Sequence, residues 1–307
     1  MSRWSPHPLS LRQLQYALAV AEQRSFRRAA EVCAVAQPSL SAQVAQLEET
    51  LGVRLFERLP RAVVVTEAGA AVLERARRAL READDIVTTA ERVRDPLAGT
   101  LRIGILPTIA PYLLPDAAPA LRTRCERLQL RWVEDKTRVI LDKLHAGELE
   151  AGIVAAESDL GDLTSAPLGR DPFYLALPLG HRLAKSEAAA RPEQLDGETV
   201  LLLDDGHCFR DQALAVCQRV GADEASVRAT SLSTLAQMVA GGAGVTLLPA
   251  IAVGTENRAR GLAIRSFGAR GPSRTLCLVW RPTSPATPAL RIVAEVLASV
   301  VGKLVRR

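Results

Sequence analysis

The apolar residues of this 307-residue chain change their spacing near Pro96, and that change constrains the fold more than any other feature. Before it they recur every three or four positions, the period of helices packed on one face. After it, short apolar runs alternate with helical stretches, the pattern of α/β layers around buried sheets. The length fits two or three domains. With 48% hydrophobic and 24% charged residues the chain can bury sizeable cores, and Gly 20 and Pro 18 exclude collagenous or linker-like sequences. The longest apolar runs, such as Val200 to Leu203, fall far short of the ~20 residues of a membrane span. The N-terminal Met1-Ser2-Arg3-Trp4-Ser5-Pro6-His7-Pro8 lacks the charged-then-apolar order of a signal peptide, so a soluble, cytoplasmic protein is expected.

Within the first segment, Leu11, Leu14, Leu18 and Ala21 make one helical stripe. Ser25 is placed to cap a short second helix that buries Phe26, Ala29, Ala30 and Cys33. After the break at Ala34-Val35-Ala36, Pro38 stands where a first helical residue belongs, its missing N–H harmless there. Leu40, Val44, Leu47 and Leu51 continue the stripe, and Gly52 ends it as a left-handed cap. Short helix, tight break and longer helix make a helix-turn-helix. The face opposite the leucines carries Gln37, Ser39, Ser41, Gln43 and Gln46, uncharged groups able to bond base edges and phosphates. Arg54, Arg58 and Arg61 follow, and the alternation from Arg61 to Thr66 suggests a wing. The plainer alternative is a solvated face on an unrelated bundle. Residues 1–68 hold eight Arg against six acids, so binding would rest on a few placed contacts and on dimerisation.

From Thr66 to Arg94, Val72, Ala76, Ala79, Ala83, Ile86, Ala90 and Val93 form a narrow seam on one long helix, which calls for a coiled-coil partner or for its own chain. Beyond Pro96, strands are expected at Thr100–Leu106, Leu128–Val133, Ala151–Ala155, Tyr174–Leu177, Val200–Leu203, Val245–Leu247 and Thr275–Trp280, with helices at Pro111–Arg124 and Thr137–Ala146. Polar breaks near Gly169–Asp171 and Gly268–Ser273 suggest two crossovers between lobes. The expected division is a DNA-binding helix-turn-helix domain over 1–68, a long helix over 69–96 and an α/β domain over 97–307, with lobe I at 97–169 and 274–307 and lobe II at 170–273.

Charge is less informative. Of the 39 Lys and Arg only Lys136, Lys143, Lys185 and Lys303 are lysines, and guanidinium suits phosphate. The skew runs the full length, however, as a genome-wide preference for Arg would also make it. Five scattered cysteines without CxxC pairs argue against a disulfide scaffold and against zinc. With His7, His145 and His181 unclustered, no metal and no cofactor are expected. Cys33, Cys125 and Cys277 read as core thiols, while Cys208 and Cys217 stand nine positions apart.

These residues carry a resemblance. Ser25-Phe26-Arg27-Arg28-Ala29-Ala30, Gln37-Pro38-Ser39-Leu40-Ser41, Leu47-Glu48, Leu51-Gly52, Leu55-Phe56-Glu57-Arg58, Thr66-Glu67-Ala68-Gly69 and, far downstream, Gly244-Val245-Thr246-Leu247-Leu248-Pro249 resemble the signature of LysR-type transcriptional regulators. The likeness implies a winged helix-turn-helix, a dimerising linker helix and a two-lobed α/β regulatory domain like periplasmic binding proteins, commonly in tetramers. It places Ser25, Arg27, Gln37, Pro38, Ser39, Ser41, Gln43 and Arg58 toward double-stranded operator DNA and implies RNA polymerase as a further partner. The segment Asp205-Gly206-His207-Cys208-Phe209-Arg210-Asp211-Gln212-Ala213, with Cys217, Gly221-Ala222-Asp223-Glu224, Arg228-Ala229-Thr230-Ser231 and Pro107-Thr108 to Pro115, resembles the family's peroxide-sensing OxyR branch.

A peroxide-reactive cysteine must be a reachable thiolate, a form that helix N-termini and cationic neighbours favour. Cys208, between His207 and Arg210 and after the turn Asp204-Asp205-Gly206, fits the peroxidatic role, with Cys217 resolving. The resemblance implies a peroxide pocket of Thr108, Thr137 and His207, with Arg210 and Gln212 nearby, and a thiol reductant for resetting. If Phe209 to Val220 is helical, the two cysteine Cα atoms stand roughly 13 Å apart at about 1.5 Å per residue. A disulfide tolerates no more than about 7 Å, so the bond would demand refolding. The competing readings are a metabolite-responsive regulator with incidental cysteines packed as small hydrophobes, threonines that merely cap turns, and a thiol peroxidase. The helix-turn-helix and the incomplete catalytic set argue against an enzyme.

Overall fold

The computed structural model describes residues 7–59, 62–95, 97–186, 188–206, 208–218 and 223–306. Pro96, Arg61, His207 and the Gly221-Ala222 pair lie outside them, as does the side chain of Arg58. The chain forms two compact units, one through Ala90 and one from Glu91.

The first unit holds α1 (Leu11–Gln23), α2 (Phe26–Val32), α3 (Gln37–Leu51), β1 (Phe56–Leu59), β2 (Ala62–Val65) and the start of α4 (Glu67–Arg94). A capping box starts α1: Ser10 Oγ accepts the Gln13 N–H at 3.2 Å while Gln13 Oε1 accepts the Ser10 N–H at 3.0 Å. Ser25 caps α2 by accepting the Arg28 N–H at 3.3 Å, as expected. The α3 helix begins one residue earlier than expected, with Pro38 second, and Gly52 closes it at φ 68°. Leu14, Ala17, Leu18 and Val20 of α1 form the buried stripe with Leu40, Val44 and Leu47, whereas Leu11 is 49% exposed and lies outside it. Glu48 Oε1 accepts the N–H groups of Leu55 and Phe56 at 2.7 and 3.1 Å, which fastens the end of α3 to the β1–β2 wing. A Cβ on Gly69 would stand 2.2 Å from the Leu55 carbonyl oxygen, so only glycine lets α4 approach the wing this closely.

The second unit runs β3 (Gly99–Ile105), α5 (Ala110–Arg124), β4 (Leu128–Glu134), α6 (Thr137–His145), β5 (Ala151–Ala155), β6 (Thr164–Pro178), β7 (Thr199–Leu203), α7 (Cys208–Gln218), β8 (Asp223–Ala229), α8 (Leu232–Ala240), β9 (Thr246–Pro249), α9 (Ala250–Glu256), β10 (Leu262–Ser266), β11 (Ser273–Trp280) and α10 (Thr287–Leu304). Strands order as β10-β6-β11-β5-β3-β4, with β9 also on β6. The parallel β3, β4 and β5 give lobe I its core, and the parallel β7–β8 pair belongs to lobe II.

The expected break at Gly169–Asp171 lies inside a continuous strand, β6, whose first part pairs with β11 and whose residues from Phe173 pair with β9 and β10. Pro167, Gly169 and Pro172 hide this strand from a periodicity reading, and a register shift at Leu276/Cys277 accommodates them. The strands β8 and β10 are not among the expected ones: Ala225, Val227 and Ala229 alternate along β8 but are small and few, and Leu262–Ser266 of β10 lacks alternation.

Where β6 and β11 pass between lobes, Arg274 and Asp171, both 0% exposed, form an ion pair at 2.9 Å. The remaining guanidinium nitrogens of Arg274 donate to Thr108 Oγ1 at 2.9 Å and to its carbonyl at 3.0 Å. The other oxygen of Asp171 accepts the Ile251 N–H at 3.1 Å. Burial pushes the Asp171 carboxyl up, and Arg274 with that N–H pulls it back. Asp171→Ala should therefore cost about 3–5 kcal/mol in urea unfolding, because it strands a buried guanidinium. Asp171→Leu combined with Arg274→Met should recover at least half of that loss.

Candidate functional site

The turn Asp204-Asp205-Gly206 closes with Asp204 Oδ1 accepting the Asp205 N–H at 2.8 Å and Gly206 at φ 85°, in the left-handed region. Cys208 then opens α7, in the first turn, where backbone N–H groups have no acceptor within the helix. The helix buries Phe209, Arg210, Ala213 and Cys217, while Cys208 is half-buried. All five cysteines are thiols. Since α7 spans both Cys208 and Cys217, the expected separation of about 13 Å applies to this state.

Cys208 faces an interlobe cavity of about 570 Å³. Gly206 and Asp211 line it from lobe II, and Thr137, Leu141, Asp142 and His145 of α6 line it together with the loop Ser158–Gly161. Thr137 is the one expected pocket threonine on this wall, and its buried Oγ1 has no hydrogen-bond partner among the described residues. An unsatisfied buried hydroxyl is costly, so a small polar molecule beside Cys208 would find a ready partner there.

The other expected pocket residues are placed differently. Thr108 is buried in the turn after β3 and holds Arg274, off the cavity wall. Arg210 is 5% exposed and pairs through Nε with Asp205 at 3.1 Å, so it secures the turn and does not line the cavity. Gln212 reaches across to Glu157 of lobe I at 3.5 Å. His207 lies outside the described residues. Reading the sequence missed Asp142 and His145, although Thr137, Leu141 and His145 share a helix face by their i, i+4 spacing. It also missed Arg274, a lone cation in an apolar strand, whose guanidinium lies 5.4 Å from the Phe209 ring centre.

Burial pushes the thiols of Cys125 and Cys277 up, which disfavours their reactive form, and Cys33 packs half-buried on the first core. Among the described residues no three His, Cys, Asp or Glu side chains are grouped to hold a metal, and no helix is long and apolar enough to cross a membrane.

In the first unit, Gln37, Pro38 and Ser39 of α3 are exposed and Ser41 and Gln43 half-buried. Gln46 instead accepts a bond from the buried Gln13 at 3.4 Å. Ser25 is occupied as a cap, and Arg27, its side chain 82% exposed, sits 3.8 Å from Glu31. The chain places Arg58 on β1 of the wing.

Residues 11–70 match the bacterial regulatory helix-turn-helix protein, lysR family, and residues 94–302 match the LysR substrate binding domain. A "hydrogen peroxide-inducible genes activator" of Pectobacterium carotovorum subsp. carotovorum is 42% identical over 278 residues, covering 90% of this chain and 92% of that protein. The "DNA-binding transcriptional dual regulator OxyR" of Escherichia coli (strain K12) is 41% identical over 290 residues, covering 94% of this chain and 95% of the other. Full-length OxyR of Pseudomonas aeruginosa, solved with a cysteine-to-aspartate change, superposes with a TM-score of 0.78 at 36% identity and covers 95% of both chains. The helix-turn-helix with its wing, the two-lobed α/β unit and matches that run through both make this chain a member of the LysR family of bacterial transcriptional regulators.

Proposed function

We propose that the chain is a DNA-binding regulator that senses hydrogen peroxide by reversible formation of a Cys208–Cys217 disulfide and so controls antioxidant genes. The observation that carries this reading is the half-buried Cys208 at the start of α7, on a cavity that Thr137, its buried hydroxyl without a partner among the described residues, also lines, with a second thiol on the same helix. The names of the relatives point the same way.

The chemistry balances. The Cys208 thiolate attacks one peroxide oxygen; the O–O bond breaks, the cysteine becomes a sulfenic acid, and hydroxide leaves to be protonated to water. The Cys217 thiol then displaces the sulfenic oxygen as a second water and the S–S bond forms. A dithiol reductant returns two electrons and two protons. Because an intact α7 holds the sulfurs too far apart, oxidation selects a second conformation, which linkage passes on to DNA. Moving such a switch from about 1:99 to 99:1 needs roughly 5.5 kcal/mol. For a two-electron couple this is about 120 mV, at about 30 mV per 1.4 kcal/mol.

In this reading residues 1–68 bind the operator through Ser25, Arg27, Gln37, Pro38, Ser39, Ser41, Gln43 and Arg58, 69–96 dimerise, and 97–307 sense. Support for dimerisation is an open apolar hollow of about 450 Å³ lined by Leu14, Leu51, Val72, Ala76 and Ala79, together with Ile86 of α4 at 71% exposure. Assembly to a tetramer, contact with RNA polymerase, a cytoplasmic setting and action as a sensor that does not turn over belong to the same proposal. One observation favours a second reading, a metabolite-responsive regulator: the cavity is far larger than peroxide needs and lies within the range of organic ligand sites.

Mass spectrometry of peroxide-treated protein should show the Cys208–Cys217 disulfide, and Cys208→Ser should abolish peroxide-dependent promoter activation. Activation that persists in Cys208→Ser, with an organic ligand detected in the cleft by calorimetry, would favour the second reading. On DNA, changes at Gln37, Ser39 or Gln43 should alter operator choice. Arg58→Ala should weaken every site and lower the salt slope by about 1, as measured by titration across salt concentrations.

A further inference from the structure

The turn that presents Cys208 is held from the opposite lobe. Lys136 is the extended residue before α6 of lobe I, and its Nζ donates to the Asp205 carbonyl of lobe II at 2.8 Å. Its stem lies against Gly206: a Cβ there would stand 3.1 Å from Nζ and 3.2 Å from Cδ. Both ends of this contact are anchored. Asp135 accepts the Lys136 N–H at 2.9 Å and pairs with Lys143 at 2.9 Å. The Asp205 carboxylate pairs with the buried Arg210 of α7 and with Arg228 of β8. Lys136 is thus a cationic side chain that spans the cleft onto the residues just before Cys208.

We propose that Lys136 is a positioning residue, a strap across the cleft that biases the Cys208–Cys217 couple toward the dithiol; this rests on the reading of those cysteines as a redox pair. The physical argument is one of incompatible states. The two cysteines cannot join while α7 is intact, so one end of the helix must leave its place. Cys217 is buried in the core, whereas Cys208 is half-buried at a cavity and follows a turn held by polar contacts. The Cys208 end is the cheaper to move, and moving it carries Asp205 and Gly206 off the Lys136 ammonium. The strap bond is present with the dithiol and absent with the disulfide. Removing the ammonium therefore favours the disulfide.

The test is a redox titration of the full chain. Wild type, Lys136→Met and Lys136→Arg are equilibrated with mixtures of reduced and oxidised dithiothreitol, a dithiol that exchanges two electrons with the couple. The fraction of Cys208–Cys217 disulfide is read by mass spectrometry after acid trapping. Lys136→Met, which keeps the stem and loses the charge, should shift the equilibrium about tenfold toward the disulfide, a potential roughly 30 mV more negative. Lys136→Arg, which keeps a cationic donor, should stay within about threefold of wild type. An unmoved midpoint in Lys136→Met, or one shifted toward easier reduction, overturns the strap while leaving the cysteine pair standing. If wild type forms no such disulfide, both proposals fall.

Discussion

The buried Arg274 guanidinium is the contact on which the regulatory unit depends. It binds Asp171 of β6 and both oxygens of Thr108 while lying over the ring of Phe209. Three separate parts of the chain, the strand that crosses between lobes, the turn after β3 and the first turn of α7, therefore meet on one charge. Such a cation is tolerable in a dry interior only when its donors are satisfied, so its partners are held in place together. Phe209 adds an edge-on contact with Phe173 at 5.1 Å, which ties the residue after Cys208 to β6. A rearrangement of α7 withdraws that ring from both partners and cannot remain local.

The same helix reconciles two demands that would otherwise conflict. A peroxide sensor needs its thiols apart when reduced and bonded when oxidised. An α-helix through both residues meets the first condition with ordinary backbone hydrogen bonds and leaves the second to be met only by breaking them. Contacts on the 204–206 turn, from Lys136, Arg210 and Arg228, oppose the change at one end. At the other end Cys217 is packed against the lobe core. The cost of refolding is thus distributed between polar contacts and apolar burial, and each can be adjusted without touching the sulfurs.

Much of the candidate site was legible because its signals are local. Ser25 and Gly52 mark helix ends by capping geometry, the leucines of α3 leave a polar face by periodicity, and the nine-residue cysteine spacing is a property of the chain itself. What escaped notice depends on residues far apart in sequence. Thr108 and Thr137 looked alike as hydroxyls near the first strands and helices of lobe I. Only folding gives the first to Arg274, 166 positions away, and leaves the second unsatisfied on the cavity that Cys208 lines. Arg210, whose position suggested a cation for the thiol, is captured by Asp205.

The sequence by itself determined the helix-turn-helix, the long α4, the alternation of strands and helices and the distance between Cys208 and Cys217 along a helix. Each follows from the period of apolar side chains or from the rise per residue, which short stretches of chain dictate. Tertiary structure alone decided that β6 runs unbroken through Pro167, Gly169 and Pro172, that a single arginine binds the lobe crossing to α7, and that Lys136 reaches the turn before Cys208. These are pairings across 65 or more positions, and their energies come from burial and from charges meeting at close range. Neither exists until the lobes have closed around them.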